Sequence, residues 1–475
     1  MTVLNCFFHL MMIFHFCSSF LFILFPYISV KSLALESHFD TVETAPDQCK
    51  RLFTDPKERP KSTLEVFNMY GPCSPTAGKN PKNMPSAQEI LHHDRLRVES
   101  LQARFKHNSK TNKYDTRFKD TKEVTHIPVL RSNSLYAISV GLGTPQQIKT
   151  LAFDTGSDMT WVQGYNHDIS TSFKSISCDS PFCNTSYIPY HTCNKFGDKE
   201  NTCYYSAKYE DGVRFKGVFS KDILKITQTG EVFQNFLFGF STESSNLVAD
   251  GMLGLDKSQV SFVSQTSDIY KGMFSYCIPS SPSKIGFMKL GPRDYPNDDV
   301  KFTRFITSSN YDPSFYFIDI TSIKVAGVEL SIGKFDLIFP GTIIDSGTTY
   351  TYLPKNVYRA MRDKFRKKMR ILGHLIVQSP IRKLDTCYYK SRDLVEDAPT
   401  ITFIFQGGVS VDMDASATLV SVFDYQQKRR FACLAFAENI NDDDLSVFGN
   451  HQQRRFEVVY DVYGEGLAFI PNKCP

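Results

Sequence analysis

Two copies of a short acidic signature are the residues of this chain best suited to chemistry. The first is F-D-T-G-S at 153–157 and the second is I-D-S-G-T at 344–348, which places Asp154 and Asp345 191 positions apart. Each signature follows a short apolar run, which predicts that each aspartate leaves a β-strand and enters a tight glycine turn. The repetition therefore predicts two similar lobes, each of which offers one carboxylate to a shared cleft.

A pair of carboxylates can hydrolyse a peptide bond without a metal ion or a covalent intermediate. One of them activates water as a base while the other protonates the leaving nitrogen as an acid. Two carboxylates about 3 Å apart cannot both ionise, so their pKa values separate and the pair shares one proton. Gly156 and Gly347 permit the two turns to approach closely. Hydroxyl groups that can hold the carboxylates stand beside them, at Thr155, Ser157, Ser346 and Thr348.

The composition is that of a folded protein rich in strands and turns. The chain has 475 residues, enough for two or three domains, with 41% hydrophobic and 22% charged residues. Its 26 Gly, 23 Pro, 40 Phe and 23 Tyr favour a mainly β fold. The sequence has no H-E-x-x-H, G-x-S-x-G or P-loop motif, and its 11 His form no ligand-spaced cluster. We therefore expect no metal and no organic cofactor.

The N-terminus predicts entry into the secretory pathway. Residues 3–30 contain no Lys, Arg, Asp or Glu, and the run 7–25 is strongly apolar. The small residues around Ser32-Leu33-Ala34 suit a signal-peptidase site, so 1–34 is interpreted as a signal peptide, with an uncleaved anchor as the alternative. A cleaved signal predicts an extracellular protein without stable membrane association, and the vacuole is the alternative destination.

The segment 35–126 differs from the rest of the chain in charge. Between Lys31 and His126 there are 17 basic and 13 acidic residues out of totals of 54 and 50, which leaves 37 of each sign from Ile127 onward. The main body is therefore neutral and offers no basic field to nucleic acid.

The same segment contains the pattern of an amphipathic helix. We interpret 35–126 as a removable prosegment, with a solvated linker helix as the alternative. A basic helix beside a carboxylate cleft would occupy it until acid weakens the attraction. The apolar positions are Ile90, Leu91, Leu96, Val98, Leu101 and Phe105, and they alternate with Asp94, Arg95, Arg97, Glu99 and Arg104.

Ten cysteines remain after the predicted signal peptide. The even number from Cys178 onward favours disulfides in an oxidising compartment. A zinc cage built from the four cysteines between Cys178 and Cys203 is the alternative, but their spacings are not those of C-x-x-C pairs. The sequon at 184–186 predicts a glycan on Asn184 in a surface loop. The ten cysteines are Cys49, Cys73, Cys178, Cys183, Cys193, Cys203, Cys277, Cys387, Cys433 and Cys474.

Several further motifs resemble those of the pepsin-type aspartic proteases, and in particular the plant nepenthesin-like branch. The resemblance runs from about Tyr136 to the C-terminus, and L-E-V-F-N-M-Y-G-P-C-S at 64–74 resembles the prosegment of that branch. The motifs are V-G-L-G-T-P at 140–145, F-D-T-G-S-D-M-T-W-V-Q at 153–163, A-D-G-M-L-G-L at 249–255, F-S-Y-C at 274–277, I-I-D-S-G-T at 343–348, L-D-T-C-Y at 384–388, C-L-A-F at 433–436 and V-F-G-N at 447–450.

The resemblance implies an all-β, bilobal pepsin-like fold with a few short helices. Residues 127–305 would form the N-terminal catalytic lobe and 306–475 the C-terminal one. Asp154 and Asp345 would be the catalytic pair. Ser157 and Thr348 would donate hydrogen bonds to the outer carboxylate oxygens of the two aspartates, and Thr155 and Ser346 would connect the two turns. Tyr209 would be the flap tyrosine, and the indole of Trp161 would donate a hydrogen bond to Tyr209. The implied disulfides are Cys178–Cys203, Cys183–Cys193, Cys277–Cys474 and Cys387–Cys433.

The expected function is that of a secreted, monomeric aspartic endopeptidase that cleaves protein or peptide substrates at acid pH. A catalytically inactive, xylanase-inhibitor-like binding protein on the same fold is the alternative, since fold does not fix function. The sequence departs from the branch in two places. The insert after Trp161 is short, and Glu210 replaces the usual glycine beside Tyr209. We interpret Glu210 as a solvated side chain, with selection of a basic group in the substrate as the alternative.

Overall fold

A computed structural model describes most of the chain. The residues that it describes lie between positions 49 and 474. The predicted signal peptide 1–34 and the residues Tyr209, Glu210 and Asn184 lie outside the described part. The described residues are 49, 62–75, 84–111, 135–183, 191–194, 201–208, 214–241, 248–293, 300–307, 311–333, 336–337, 340–381 and 383–474.

The described residues are mostly in short β-strands, as the composition predicts. The strands are β1 (Thr63–Asn68), β2 (Tyr136–Leu142), β3 (Gln147–Asp154), β4 (Trp161–Val162), β5 (Lys174–Ser175), β6 (His191–Asn194), β7 (Thr202–Lys208), β8 (Arg214–Lys225), β9 (Val232–Ser241), β10 (Gly251–Gly254), β11 (Met273–Cys277), β12 (Ile285–Leu290), β13 (Phe302–Arg304), β14 (Phe317–Ile318), β15 (Ile320–Val325), β16 (Val328–Glu329), β17 (Thr342–Ile344), β18 (Thr351–Leu353), β19 (Cys387–Tyr389), β20 (Ile401–Phe405), β21 (Val409–Met413), β22 (Leu419–Asp424), β23 (Arg429–Leu434), β24 (Phe436–Glu438), β25 (Ser446–Phe448), β26 (Phe456–Asp461) and β27 (Gly466–Pro471).

Within the part of the chain that the structure describes, helices are few and, with two exceptions, short. The longest is α1 (Ala87–Thr111), which lies in the predicted prosegment. The others are α2 (Phe262–Gln265), α3 (Ser267–Tyr270), α4 (Lys355–Ile371), α5 (Arg392–Asp397) and α6 (Ala415–Thr418), with 3-10 turns at Gln406–Gly408 and Asn450–Gln453. Among the described residues, no helix has the length and apolar character needed to cross a bilayer.

The described strands form one large sheet and three smaller ones. The large sheet runs in the order β13-β27-β26-β11-β12-β1-β2-β3-β10-β4-β9-β8-β7-β6, with β5 paired to β8. The smaller sheets are β14-β17-β25-β18-β24, β16-β15-β20-β21 and β19-β23-β22. Most strands bury one face or both, so Phe, Tyr, Ile, Leu and Val fill the interior. The all-β class is confirmed.

The predicted prosegment contributes secondary structure to the body of the protein. Strand β1 pairs antiparallel with β12 and with β2, so it lies between two strands of the large sheet. Helix α1 begins with a capping box, because the amide of Ser86 donates to Glu89 Oε2 at 2.8 Å and the amide of Glu89 donates to Ser86 Oγ at 3.3 Å. The boundaries at 34, 126 and 305 remain predictions.

The disulfide pairing differs in part from the pairing that the resemblance implied. Cys277–Cys474 and Cys387–Cys433 are present as expected, and Cys49–Cys73 closes a further bridge within the prosegment. Cys183, however, pairs with Cys203, so the expected Cys178–Cys203 and Cys183–Cys193 bridges are wrong. Backbone hydrogen bonds bring the start of β7 beside the segment that leads to Cys183, because the amide of Cys203 donates to the carbonyl of Ile176 at 2.8 Å and the amide of Cys178 donates to that of Asn201 at 3.0 Å.

Candidate active site

Each candidate aspartate stands at the end of a strand that pairs in parallel with a second strand of its lobe. Asp154 is the last residue of β3, and Asp345 follows β17 directly. Strand β3 pairs in parallel with β10, and β17 pairs in parallel with β25. The apolar-apolar-Gly segments within the A-D-G-M-L-G-L and V-F-G-N motifs are therefore the partners of the two aspartate strands.

The strand that follows each aspartate completes the same arrangement in both lobes. After the first turn, β4 pairs antiparallel with β10 and parallel with β9. After the second turn, β18 pairs antiparallel with β25 and parallel with β24. The two lobes thus position their aspartates with equivalent connections, as the repeated signature predicts.

The two turns are tied together by a reciprocal set of hydrogen bonds. The amide of Thr155 donates to Ser346 Oγ at 3.0 Å, and the amide of Ser346 donates to Thr155 Oγ1 at 2.9 Å. Each hydroxyl then donates across to the other turn: Thr155 Oγ1 to the carbonyl of Ile344 at 3.4 Å, and Ser346 Oγ to that of Phe153 at 3.3 Å. Each turn therefore fixes the position of the opposite turn through both its side chain and its backbone.

Each carboxylate is held on both of its oxygens by its own turn. Asp154 Oδ2 accepts a bond of 2.5 Å from Ser157 Oγ, and its Oδ1 accepts one of 2.9 Å from the amide of Gly156. Thr348 Oγ1 donates to Asp345 Oδ2, and the amide of Gly347 donates to Asp345 Oδ1 at 3.1 Å.

The two glycines are needed because each turn lies against the opposite carboxylate. A Cβ at Gly156 would be 2.7 Å from Asp345 Oδ1, and a Cβ at Gly347 would be 2.5 Å from Asp154 Oδ1. Both inner oxygens, Oδ1 of each aspartate, therefore face the same narrow space between the turns. A single small ligand there would contact both carboxylates.

Arg97 of helix α1 occupies that space. Its Nη2 donates to Asp154 Oδ1 at 2.6 Å and to Asp345 Oδ1 at 3.0 Å, while its Nε donates to Asp345 Oδ2 at 2.7 Å. The arginine is only 4% exposed and both aspartates are fully buried. The fork of the guanidinium matches the carboxylate of Asp345, which is the strong bidentate form of an ion pair.

Burial and the arginine separate the pKa values of the two aspartates. Burial raises the pKa of Asp154 to about 7, although the charge of Arg97 acts in the opposite direction. Burial acts on Asp345 as well, but the charge and hydrogen bonds of Arg97 outweigh it and lower the pKa of that carboxyl. The buried pair therefore favours a state with one proton and one negative charge shared between the two carboxyls, and a single guanidinium neutralises that charge.

Two other side chains of α1 fasten the helix to the C-terminal half. Asp94 accepts hydrogen bonds from the amides of Thr349 and Tyr350, at 2.9 and 2.8 Å. Gln102 donates to the carbonyl of Leu445 at 2.9 Å and accepts from its amide at 2.7 Å. These are bonds to backbone groups, so the helix occupies the cleft much as another polypeptide would.

These contacts agree with the favoured interpretation of the sequence, a basic prosegment helix that occupies a carboxylate cleft, although the amphipathic pattern did not identify which polar residues of α1 face the cleft. Asp94, Arg97 and Gln102 are all buried, on the same side of the helix as Leu101. The solvated linker helix is therefore wrong for this face. The signal available in the sequence was the arginine itself, since the interior of a carboxylate cleft is an environment in which a cation is stable.

The remaining predicted site residues have different outcomes. Trp161 is buried on β4 beside Met159 and Tyr205 in a small apolar cluster. Tyr209, to which Trp161 was expected to bond, lies outside the described residues, as does Asn184. Among the described residues, no group of three His, Cys, Asp or Glu side chains is arranged to hold a metal ion.

Comparison with known protein families gives two matches that together cover most of the chain. The family described as xylanase inhibitor N-terminal matches residues 136–292, and the one described as xylanase inhibitor C-terminal matches residues 315–471.

Comparison with curated proteins and solved structures points to the same fold. An aspartyl protease family protein of Arabidopsis thaliana is 34% identical over 87% of this chain and 88% of its own length. Aspartic proteinase nepenthesin-2 of Nepenthes gracilis is 29% identical over 73% and 80% of the two chains. The crystal structure titled edgp matches with a TM-score of 0.60 at 19% identity, covering 72% of this chain and 92% of that one. Basic 7S globulin from soybean matches with a TM-score of 0.57 at 17% identity, covering 70% and 92%.

One explanation accounts for the repeated aspartate turns, for the hydrogen bonds between them and for the sequence identity with aspartyl proteases along most of the chain. The chain belongs to the pepsin-like aspartyl proteases, in the plant nepenthesin-like branch.

Proposed function

We propose that this chain is the inactive precursor of a secreted aspartic endopeptidase that hydrolyses peptide bonds in acid. The observation that carries the proposal is the intact pair of carboxylates, whose outer oxygens are held by Ser157 and Thr348 and whose inner oxygens share one space. The substrates would be proteins or peptides, the active form a monomer, and no metal or organic cofactor would take part. Secretion is an expectation from residues 1–34.

In the active form, a water molecule would lie where Arg97 Nη2 lies in the precursor. The ionised carboxylate would take a proton from this water as it attacks the scissile carbonyl, and the protonated partner would stabilise the developing oxyanion. The proton would then pass to the leaving nitrogen. The separated pKa values of Asp154 and Asp345 suit this division of roles.

Helix α1 would have to leave before a substrate can enter. Its arginine fills the space between the carboxylates, and its buried polar groups take backbone partners along the cleft. We call the chain without the segment that ends at His126 the processed chain. The proposal includes loss of this segment in acid, by the chain acting on itself.

The description of the two matching families supports a second candidate, a catalytically inactive protein that binds and inhibits a xylanase. The intact carboxylate pair favours the protease, because a binding protein has no need of two aspartates held in mutual hydrogen-bond geometry. The two candidates are separated by activity, since only the protease cleaves peptides.

The direct test is to incubate the purified full-length chain with a peptide library over a range of acid and neutral pH. We expect loss of the prosegment and cleavage of library peptides in acid only. Mass spectrometry would identify both sets of products. Inhibition of a xylanase by a processed chain that cleaves no peptide at any pH would reject the protease and support the binding protein.

Alanine at position 347 is expected to remove most of this activity without unfolding the chain. The added Cβ would lie 2.5 Å from Asp154 Oδ1 and would push that carboxylate from its position. A displacement of this kind costs on the order of 100-fold in rate. The measurement is kcat/KM of the processed chain on one peptide, with a thermal melt to check folding.

The matched control is Gly373→Ala. Gly373 has a φ of +89°, but nothing lies within 4 Å of the position that its Cβ would take, so the change should affect stability and leave catalysis intact. Wild-type kcat/KM in the Gly347→Ala chain would contradict the assigned position of the second turn.

A further inference from the structure

A second arginine of α1 occupies a pocket of its own beside the aspartate pair. Arg104 follows Arg97 by seven residues, or two helical turns, which places it about 10 Å further along the same side of the helix. Its Nη1 donates to the carbonyl of Gly156 at 3.2 Å, within the turn that carries Asp154. The pocket is therefore adjacent to the point where a scissile bond would lie.

The guanidinium of Arg104 is contacted on its edges and on one face. Its Nη2 donates to Asp256 Oδ2 at 2.8 Å and to Ser314 Oγ at 2.5 Å, and its Nε donates to Asp312 Oδ2 at 3.2 Å. Its central carbon lies 4.4 Å from the centre of the Phe315 ring. Two carboxylates, a hydroxyl, a carbonyl and an aromatic face form a complete guanidinium site.

The body of the protein holds both carboxylates in place independently of α1. Asp256 Oδ1 accepts a bond of 2.8 Å from the amide of Ser258, and Asp312 Oδ1 accepts one of 3.0 Å from the amide of Ser314. The other oxygen of each group is the one that meets Arg104. Asp256 is also fixed to the first aspartate turn, because its amide donates to the carbonyl of Ser157 at 3.1 Å.

Once Arg104 is removed, the pocket contains more carboxyl groups than cationic groups, and it is most negative where Asp256 is ionised, because burial raises the pKa of that carboxyl to about 6. Asp256 and Asp312 are 0% and 3% exposed in the precursor, and Asp158 adds a third nearby carboxylate. Lys257 is a cation of the main body that interacts with both Asp256 and Asp312. Three carboxylates beside one ammonium group leave a site that a second cation would complement.

We propose that, in the active form, this pocket binds a basic side chain of the peptide substrate close to the cleaved bond, with arginine preferred over lysine. The proposal rests on the protease function. In the precursor, Arg104 would occupy the position that a basic side chain of the substrate takes in the active form. Arginine is favoured because its planar fork can bond Asp256 and Asp312 together and stack on Phe315, whereas an ammonium group cannot do both.

The first test uses paired peptide substrates and the wild-type processed chain. In one peptide of each pair an arginine stands at a given position near the cleaved bond, and in the other it is replaced by citrulline, which has the same shape without the charge. At one position we expect arginine to raise kcat/KM roughly 10- to 100-fold. Equal cleavage of both members at every position would overturn the pocket and leave the protease function intact.

The second test removes the carboxylates. In the double variant Asp256→Asn and Asp312→Asn, the ratio of kcat/KM between arginine and citrulline peptides should fall close to one. The matched control is Asp268→Asn, an exposed carboxylate on α3, which should keep the wild-type ratio. A wild-type ratio in the folded double variant would also overturn the proposal.

A binding measurement separates failure of the pocket from failure of the protease function. Synthetic peptides of residues 84–111, with either arginine or citrulline at position 104, would be titrated into the processed chain. The arginine peptide is expected to bind roughly 10- to 100-fold more tightly. If no substrate is cleaved, this difference still supports a basic-group pocket, and equal affinities reject it.

Discussion

Replacing Asp154 by asparagine is expected to abolish peptide cleavage by the processed chain, with a loss on the order of 1,000-fold or more. An amide cannot take a proton from water or share one with Asp345, so the pair loses both its acid and its base function. Ser157 and Gly156 donate to different oxygens of Asp154, so the single oxygen of the amide keeps one of these two bonds. The measurement is kcat/KM on a peptide that the wild-type chain cleaves, with prosegment removal by an added protease.

Three comparisons make that result specific. Asp345→Asn is expected to fail in the same way, because the carboxylates act as one unit. Asp268→Asn, an exposed carboxylate far from either turn in sequence, is expected to keep wild-type kcat/KM. The unprocessed Asp154→Asn precursor is expected to keep its prosegment in acid. Wild-type activity in either dyad variant would place the chemistry elsewhere.

The carboxylate pair and its supporting groups were predictable because adjacent residues specify each aspartate turn and because the signature occurs twice in the sequence. Asp154 and Ser157 are three residues apart, as are Asp345 and Thr348, so each turn builds its half of the site from adjacent residues. The all-β fold was predictable for a similar reason, since short apolar runs between turn residues specify strands directly.

The parts that were missed depend on contacts between distant segments. Arg97 meets Asp345 across 248 positions of sequence, and an amphipathic pattern cannot show that polar residues face a cleft instead of solvent. Strand β1 joins the large sheet through partners more than 60 residues away. The pairing of Cys183 with Cys203 depends on backbone hydrogen bonds between residues 176–178 and 201–203, which cysteine spacing does not reveal.

Replacing Arg97 by glutamine is expected to release the precursor from its inactive state. Glutamine has the hydrogen-bonding capacity to reach one carboxylate but no charge with which to neutralise Asp345. Removing one partner of a buried ion pair costs about 3–5 kcal/mol, which favours the open form by on the order of 100-fold or more. We therefore expect the variant to lose its prosegment in acid at least about 100-fold faster than the wild-type chain.

The pH at which the wild-type precursor opens follows from the direction of two pKa shifts. Arg97 lowers the pKa of Asp345 below the ordinary value of 3.8, so this ion pair stabilises the closed form above that pH and is lost as the pH falls through the lowered pKa. Burial raises the pKa of Asp94 to about 7, so protonation of Asp94 favours the closed form as the pH falls from about 7 toward 3.8.

The two pKa shifts act on the equilibrium between the closed and open forms in opposite directions. We therefore expect mild acid to stabilise the closed form of the wild-type precursor, and only acid below about pH 4 to open it. The Arg97→Gln chain lacks the ion pair with Asp345, so its processing should extend to higher pH. The measurement is the rate of prosegment loss at a series of pH values, followed by gel electrophoresis and mass spectrometry of the new N-terminus.

Arg95→Gln is the matched control, because Arg95 lies two residues away on the same helix, is 42% exposed and pairs only loosely with Glu99 at 3.7 Å. The Arg95→Gln chain should lose its prosegment at the wild-type rate and pH. This result would show that a substitution that only weakens the helix does not change the pH dependence of processing. Combining Arg97→Gln with Asp154→Asn should restore a stable precursor at every pH, because the open cleft then has no catalyst. Continued processing of that double variant would show that another protease removes the segment. In that case, Arg97 would limit cleavage of the precursor by other proteases and not cleavage by the chain itself.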